Sequence, residues 1–236
     1  MKVVILAGGY GTRLAEETKV KPKPLVKIGN KPIIWHILKI YSHYGLKEFI
    51  ICLGYKGNLI KKELNKLKKN ENWEIKYVET GLKTMTGGRI KRVKNFLSKD
   101  KNFCLSYGDG LSDVNIKKLI KFHEKNNKIG ALTAVKYKNP KGVLKINKNS
   151  LIKTIKEKPE EYINGGFFVL SKKIFKYLNN DLSIFEKDCL PKLSATNQLL
   201  AFKHKGFWAC MDTIREKKEL NKIWNSNKKA WKVWNE

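Results

Sequence analysis

Paired cysteines, arginine and long apolar runs are what this sequence has least of. Its four cysteines, at positions 52, 104, 189 and 210, form no Cys-x-x-Cys pair. They read as free thiols, which belong in a reducing compartment, so a cytoplasmic protein is expected. No stretch approaches the ~18 consecutive apolar residues of a membrane span. Glycine at position 8 cuts the apolar opening short, too early for the core of a secretory signal peptide. Membrane insertion is therefore not expected. Acidic residues number 21 against 50 basic ones, a formal net charge of +29, and only four of the 50 are arginine. Specific readers of bases and phosphates lean on arginine, whereas the lysines here are spread along almost every predicted helix. The charge reads as a solvated surface with a general pull on anions, and no specific nucleic-acid partner is expected.

Several catalytic strings are missing as well. There is no Gly-x-Ser-x-Gly elbow, no His-Glu-x-x-His zinc motif and no Gly-x-x-x-x-Gly-Lys-Ser/Thr phosphate loop. A dinucleotide fingerprint fails where Leu14 stands in place of its third glycine. His36, His43, His123 and His204 are scattered, and His36 with His43 reads as a packed or surface pair on one helix.

What is present is a chain of 236 residues, 42% hydrophobic, long enough for one well-buried core and one domain over residues 1–236. Residues 3–7 form a continuous apolar run, as a buried parallel strand does. Gly8, Gly9 and Gly11 follow, so backbone N–H groups can approach a ligand closely and form a nest for an anion. Thr12 adds a hydroxyl, and Arg13 a guanidinium fork suited to phosphate. Lys23 stands between Pro22 and Pro24, a cation on a stiff mount. Together these point to a nucleoside triphosphate site, with an ordinary glycine turn as the alternative.

Beyond the loop, helical periodicity is predicted over residues 32–44, 59–68, 114–126, 171–178, 184–193 and 213–224. Strands are predicted over 49–53, 73–78, 103–107, 129–135, 142–146, 151–156, 167–170 and 199–202. That alternation means βαβ units, a mainly parallel sheet and helices on both faces. Residues 79–89 bring the donors Thr80, Thr84, Thr86 and Arg89 to a helix start that could face an anion or a base edge, or could be a flexible loop. Asp109, between two glycines at the carboxyl end of a strand, lies where such sheets bind ligands and suits Mg²⁺. Asp113 reads as a helix N-cap. Thr213 and Glu216 already make a capping box, which leaves Asp212 as a second metal carboxylate. Trp208, Trp224, Trp231 and Trp234 read as packing or a subunit contact.

Leu6-Ala-Gly-Gly-Tyr-Gly-Thr-Arg-Leu14 with Pro22-Lys-Pro24 resembles the signature of the sugar-nucleotide pyrophosphorylases, nucleotidyltransferases that join an NTP to a sugar 1-phosphate. Thr84-Met-Thr-Gly-Gly-Arg-Ile-Lys-Arg92, Tyr107-Gly-Asp-Gly110, Ile163-Asn-Gly-Gly-Phe-Phe168 and Gly206-Phe-Trp-Ala-Cys-Met-Asp-Thr213 narrow the resemblance to glucose-1-phosphate cytidylyltransferases. It covers nearly the whole chain. The fold it implies is α/β: a Rossmann-like mixed, mainly parallel sheet flanked by helices, with a small β-rich insertion on the acceptor side. Residues 1–135 would form the nucleotide-binding part, 136–212 the sugar-phosphate part, and 213–236 a C-terminal helix and aromatic tail.

The same resemblance implies roles. Leu6, Ala7, Gly8, Gly9, Gly11, Thr12 and Arg13 would hold the CTP phosphates, with Lys23 reaching the reacting one. Thr80, Gly81, Thr86 and Arg89 would lie in the cytidine-recognising region. Asp109 would meet the nucleotide and, with Asp212, hold Mg²⁺. Tyr107, Gly108, Glu157, Lys158, Asn164 and Gly165 would take the sugar phosphate, and Arg13, Lys23 and Lys158 would be catalytic. A homo-oligomer is implied. This sequence departs from the family in having only Glu160-Glu161-Tyr162 between Pro159 and Ile163, where a longer glycine-containing segment is usual. A different phosphorylated acceptor, a related NTP:sugar-phosphate transferase, and a non-catalytic nucleotide or nucleic-acid binder are the alternatives.

Overall fold

The computed structural model describes residues 1–138 and 141–235; the side chains of Arg13, Ala15 and Glu16 also lie outside the described residues. Strand β1 (Val3–Leu6) is buried at every residue, because it lies inside a sheet covered on both faces. The chain then runs through α1 (Ala15–Thr18), a small hairpin of β2 (Lys27–Ile28) and β3 (Lys31–Pro32), and α2 (Ile33–His43). Strand β4 (Glu48–Leu53), helix α3 (Gly57–Leu67), strand β5 (Glu74–Glu79) and helix α4 (Thr86–Arg92) complete the first half. Next come β6 (Asn102–Tyr107), β7 (Gly110–Ser112), α5 (Ile116–Asn126) and β8 (Gly130–Lys138). A separate ribbon of β9 (Val143–Ile146) and β10 (Ile152–Lys156) leads into the long β11 (Glu160–Ser171). The last elements are α6 (Leu190–Ala195), β12 (Leu199–His204), β13 (Trp208–Cys210) and α7 (Ile214–Asn225).

Seven strands form the main sheet in the order β12-β8-β11-β6-β1-β4-β5. The pairs β1·β4, β1·β6, β4·β5 and β12·β8 are parallel, while β11 is antiparallel to both β6 and β8. The mixed, mainly parallel sheet with helices on both faces is thus the architecture expected from the alternating pattern. Since β11 lies between β6 and β8, residues on either side of position 135 share one sheet. Alternation along β1 sends Val3 and Ile5 into one core and Val4 and Leu6 into the other. The first core also holds α2, with Ile33, Ile34, Ile37, Leu38 and Ile40 fully buried; the second holds Ile90, Phe103, Phe168 and Phe185.

Four local expectations change. Helix α5 begins at Ile116 and is capped by Asn115, whose side chain accepts from the Lys118 N–H. Asp113 is not the cap; its Oδ1 pairs with His204 Nε2 at 2.9 Å. The strand expected over 167–170 is the 12-residue β11, because its first half pairs with the outer end of β8 through Glu160–Asn164. The helix expected over 171–178 is a 3-10 segment, Lys172–Tyr177, and the one expected over 184–193 opens with a π-helical turn, Phe185–Cys189, ahead of α6.

The aromatic tail folds back onto its own chain. Trp231 is fully buried and Trp234 is 7% exposed, both packed around His36 together with Trp224. His36 Nε2 lies 3.0 Å from the Ile28 carbonyl, and Trp231 Nε1 donates to its Nδ1 at 3.3 Å, so Nε2 carries the proton. Burial pushes the His36 pKa down to about 4. No helix among the described residues is long and apolar enough to cross a membrane, and all four cysteines are free.

Candidate active site

Strands β1, β4 and β6 run parallel, and their carboxyl ends, Leu6, Leu53 and Tyr107, open on the same edge of the sheet. Ligands of open α/β sheets bind at that edge. Two adjoining pockets lie there, of ≈ 660 and ≈ 300 Å³. They share Leu6, Gly9, Thr86, Gly108 and Asp109. Ala7, Gly11, Thr12 and Lys23 belong to the smaller one. Gly8, Arg89, Tyr107, Asn164, Gly165 and Asp212 line the larger.

The centre of charge is Lys23. Held on a 3-10 turn, Lys23–Leu25, and only 9% exposed, its Nζ donates to Asp109 Oδ2 at 2.6 Å and to Asp212 Oδ1 at 2.5 Å. Burial pushes the ammonium pKa down, but the charge of Asp109 and the hydrogen bonds to both carboxylates outweigh it, leaving the pKa above the ordinary lysine value. Two carboxylates from distant parts of the chain thus converge on one cation. Oxygen donors in that number suit a hard divalent ion completed by substrate phosphates. No group of three or more His, Cys, Asp or Glu among the described residues could cage a metal by itself. Two carboxylates so placed fit a divalent ion only if substrate phosphates complete its oxygen shell.

Arg89 is engaged differently from the sequence expectation. It is 5% exposed, and its Nη1 donates to Leu53 O at 3.1 Å and to Thr80 Oγ1 at 2.6 Å, while Nη2 donates to Gly8 O at 3.0 Å. All three partners are neutral oxygens, and burial lowers its pKa. Arg89 is a buried clamp that ties the glycine loop to the ends of β4 and β5, not an open fork waiting for phosphate. A glycine is required at position 8 for this reason: a Cβ there would lie 2.1 Å from Arg89 Nη1. Thr80 is fully buried, and its hydroxyl donates to Leu53 O at 2.6 Å. Neither Thr80 nor Gly81 lines either pocket; the Thr80 hydroxyl accepts from Arg89 Nη1. Gly11 holds φ 69° beside the Lys23 side chain, a backbone state that disfavours any Cβ.

Two expected acceptor-side residues are elsewhere. Glu157 and Lys158 follow β10 at the root of the exposed ribbon, both exposed and outside the pocket lining. Lys158 has φ 44°. The Arg13 side chain, expected on the triphosphate, lies outside the described residues.

The structure also adds residues. Trp208, read from sequence as packing, lines the larger pocket and donates Nε1 to Gly165 O at 2.7 Å. Glu186 lines it too, accepting from Tyr107 OH at 2.5 Å and from Thr86 Oγ1 at 2.7 Å. The signal for Trp208 was its place four residues before Asp212. Glu186 gave none, since its stretch reads as an ordinary amphipathic helix.

A sequence profile described as nucleotidyl transferase matches residues 2–225. The chain belongs to this family. The glucose-1-phosphate cytidylyltransferase of Salmonella typhimurium is 44% identical over 257 aligned residues, which take in 99% of this chain and 100% of that one. The probable glucose-1-phosphate cytidylyltransferase of Bacillus subtilis is 41% identical, again over 99% and 100%. The Salmonella alignment is longer than the 236 residues of this chain, so that relative carries residues lacking here. Among solved structures, HddC from Yersinia pseudotuberculosis superposes with a TM-score of 0.75 at 27% identity, covering 95% of this chain and 99% of that one.

Proposed function

We propose that this nucleotidyltransferase moves a cytidylyl group from CTP to glucose 1-phosphate, releasing pyrophosphate, with Mg²⁺ as its metal. The observation that carries the reading is Lys23 between Asp109 and Asp212, where the two pockets meet beneath the glycine loop. Near full-length likeness to glucose-1-phosphate cytidylyltransferases supports the choice of substrates. A phosphate monoester, with a second pKa near ~6, is mostly dianionic at neutral pH. Its oxygen can attack the α-phosphorus of CTP in line without a general base. The work left to the protein is positioning and charge neutralisation. Backbone N–H groups of Gly8, Gly9 and Gly11 would lie along the triphosphate, with Thr12 and the Arg13 guanidinium beside them. Arg89 keeps that loop in shape through Gly8 O. Lys23 would neutralise the reacting phosphates. Asp109 and Asp212 would hold Mg²⁺, which when bound lowers the repulsion between nucleotide and acceptor. Lys158 and Glu157 would serve the sugar-phosphate side from the ribbon's root, with Lys158 as the cation for the phosphate. A cytoplasmic homo-oligomer completes the reading, favoured by the free thiols and by resemblance.

The test is a matrix of the common NTPs against sugar 1-phosphates with Mg²⁺, reading pyrophosphate. CTP with glucose 1-phosphate should give the highest kcat/KM; a different best pair, or no release at all, refutes the assignment.

A further inference from the structure

Glu186 is an acidic residue of the pocket lining for which neither phosphate nor metal binding supplies a use. It stands on the π-helical turn Phe185–Cys189, and turns of that kind recur at functional sites. Its two carboxylate oxygens each take one hydroxyl of the lining. Tyr107 OH donates to Oε1 at 2.5 Å and Thr86 Oγ1 to Oε2 at 2.7 Å. Behind them, Asn164 Nδ2 donates to Tyr107 OH at 3.2 Å, and the Phe185 N–H donates to Thr86 Oγ1 at 2.9 Å. The direction of these bonds is fixed, because an ionised carboxylate only accepts.

The consequence is chemical. Tyr107 and Thr86 each commit their single O–H donor to Glu186, so this wall presents acceptor lone pairs and the carboxylate's charge. Burial first, and then the charge of Glu186, raise the Tyr107 pKa, which keeps its proton in place. Such a surface repels phosphate oxygens and welcomes hydroxyl donors. Each carboxylate oxygen has room for a second hydrogen bond. Lys23 lines the adjoining smaller pocket, so the two pockets together offer a cation to a phosphate and acceptor oxygens to ring hydroxyls.

We propose that Glu186, held by Thr86 and Tyr107, accepts a ring hydroxyl of the sugar 1-phosphate and is a specificity-determining residue for the acceptor. This rests on the transferase reading above. Sites built to bond a hydroxyl discriminate strongly against analogues lacking it, because a buried polar group is left unpaired.

The experiment compares glucose 1-phosphate with its 2-, 3-, 4- and 6-deoxy analogues, using CTP and Mg²⁺, in wild type, Glu186→Gln and Glu186→Asp. Wild type should disfavour one analogue by roughly 10- to 100-fold in kcat/KM. Glu186→Gln should remove most of that gap at the same position, with the KM for CTP little changed and the melting temperature near wild type. Equal losses with every analogue would reveal a purely structural residue and overturn the proposal, as would a wild type indifferent to all four deletions. If discrimination against 2′-deoxy-CTP moves instead, Glu186 serves the ribose and the proposal is wrong. Absence of transfer to any sugar 1-phosphate would overturn the function itself and this inference with it. Should Glu186→Gln fail to fold, Glu186→Asp and the wild-type panel still decide.

Discussion

The glycine-loop wall of the pocket and the ribbon of β9 and β10 are built on opposite plans. In the wall, polar groups are interlocked: Arg89 meets three oxygens and Lys23 meets two carboxylates. In the ribbon, Leu144 pairs with Ile155 and Ile146 with Ile152 across the strands, yet these side chains are 48%, 67%, 60% and 53% exposed. A two-stranded ribbon is at best marginally stable by itself. The comparison teaches where geometry is set in advance. The glycine-loop side is held by buried contacts, whereas Glu157 and Lys158 sit at the root of a weakly supported arm.

The sharpest way to break the contrast is Lys23→Ala, which should lower kcat by roughly 1000-fold, read as pyrophosphate release. Folding should suffer far less, since Mg²⁺ can neutralise Asp109 and Asp212; a melting temperature that rises with Mg²⁺ more in the variant than in wild type is the second readout. Arg89→Ala should cost about 3 kcal/mol of stability, from a cavity and three acceptors left without a donor, in chemical denaturation. The aromatic packing around His36 gives a pH test. The His36 pKa is about 4 in the folded chain against an ordinary 6.5, so only the unfolded chain takes up a proton between those values. Stability from this group is complete above pH 6.5 and is lost as pH falls towards 4, by roughly 2–3 kcal/mol. The loss should flatten in His36→Gln.

On the arm, effects should be smaller and confined to one substrate. Lys158→Ala should raise the KM for glucose 1-phosphate roughly tenfold and leave that for CTP unchanged. An equal effect on CTP would place Lys158 with the nucleotide and blur the distinction. Ile155→Thr should alter stability by less than ~0.5 kcal/mol, measured by thermal melting. A large loss would mean that the arm is covered in solution.

The β1 strand, the glycine loop and the helix-strand alternation were legible because each rests on local rules of burial, period and turn chemistry. Asp212 was legible for a similar reason, since Thr213 and Glu216 already account for the cap. Arg89 was placed in the right region, but its clamp on the glycine loop was not legible. Nothing in its neighbours along the chain tells that Gly8, Leu53 and Thr80 will surround it. Glu186 was missed because its partners lie 79 and 100 residues away, a relation that periodicity does not carry. Asp113 shows the limit of capping rules. An aspartate ahead of a helix can serve as its cap, but here Asn115 lies closer to the first turn and His204 offers a partner.

The bridge through Lys23 joins residues 86 and 189 positions apart in the chain. A polypeptide emerging from the ribosome therefore holds its glycine loop, lysine and first aspartate long before the second aspartate exists. The strand that separates the two halves of the sheet, β11, also arrives after both β1 and β6. The second carboxylate of the bridge comes from the last part of the chain to be made, so a chain stopped short of Asp212 carries only one of the two carboxylates that meet Lys23.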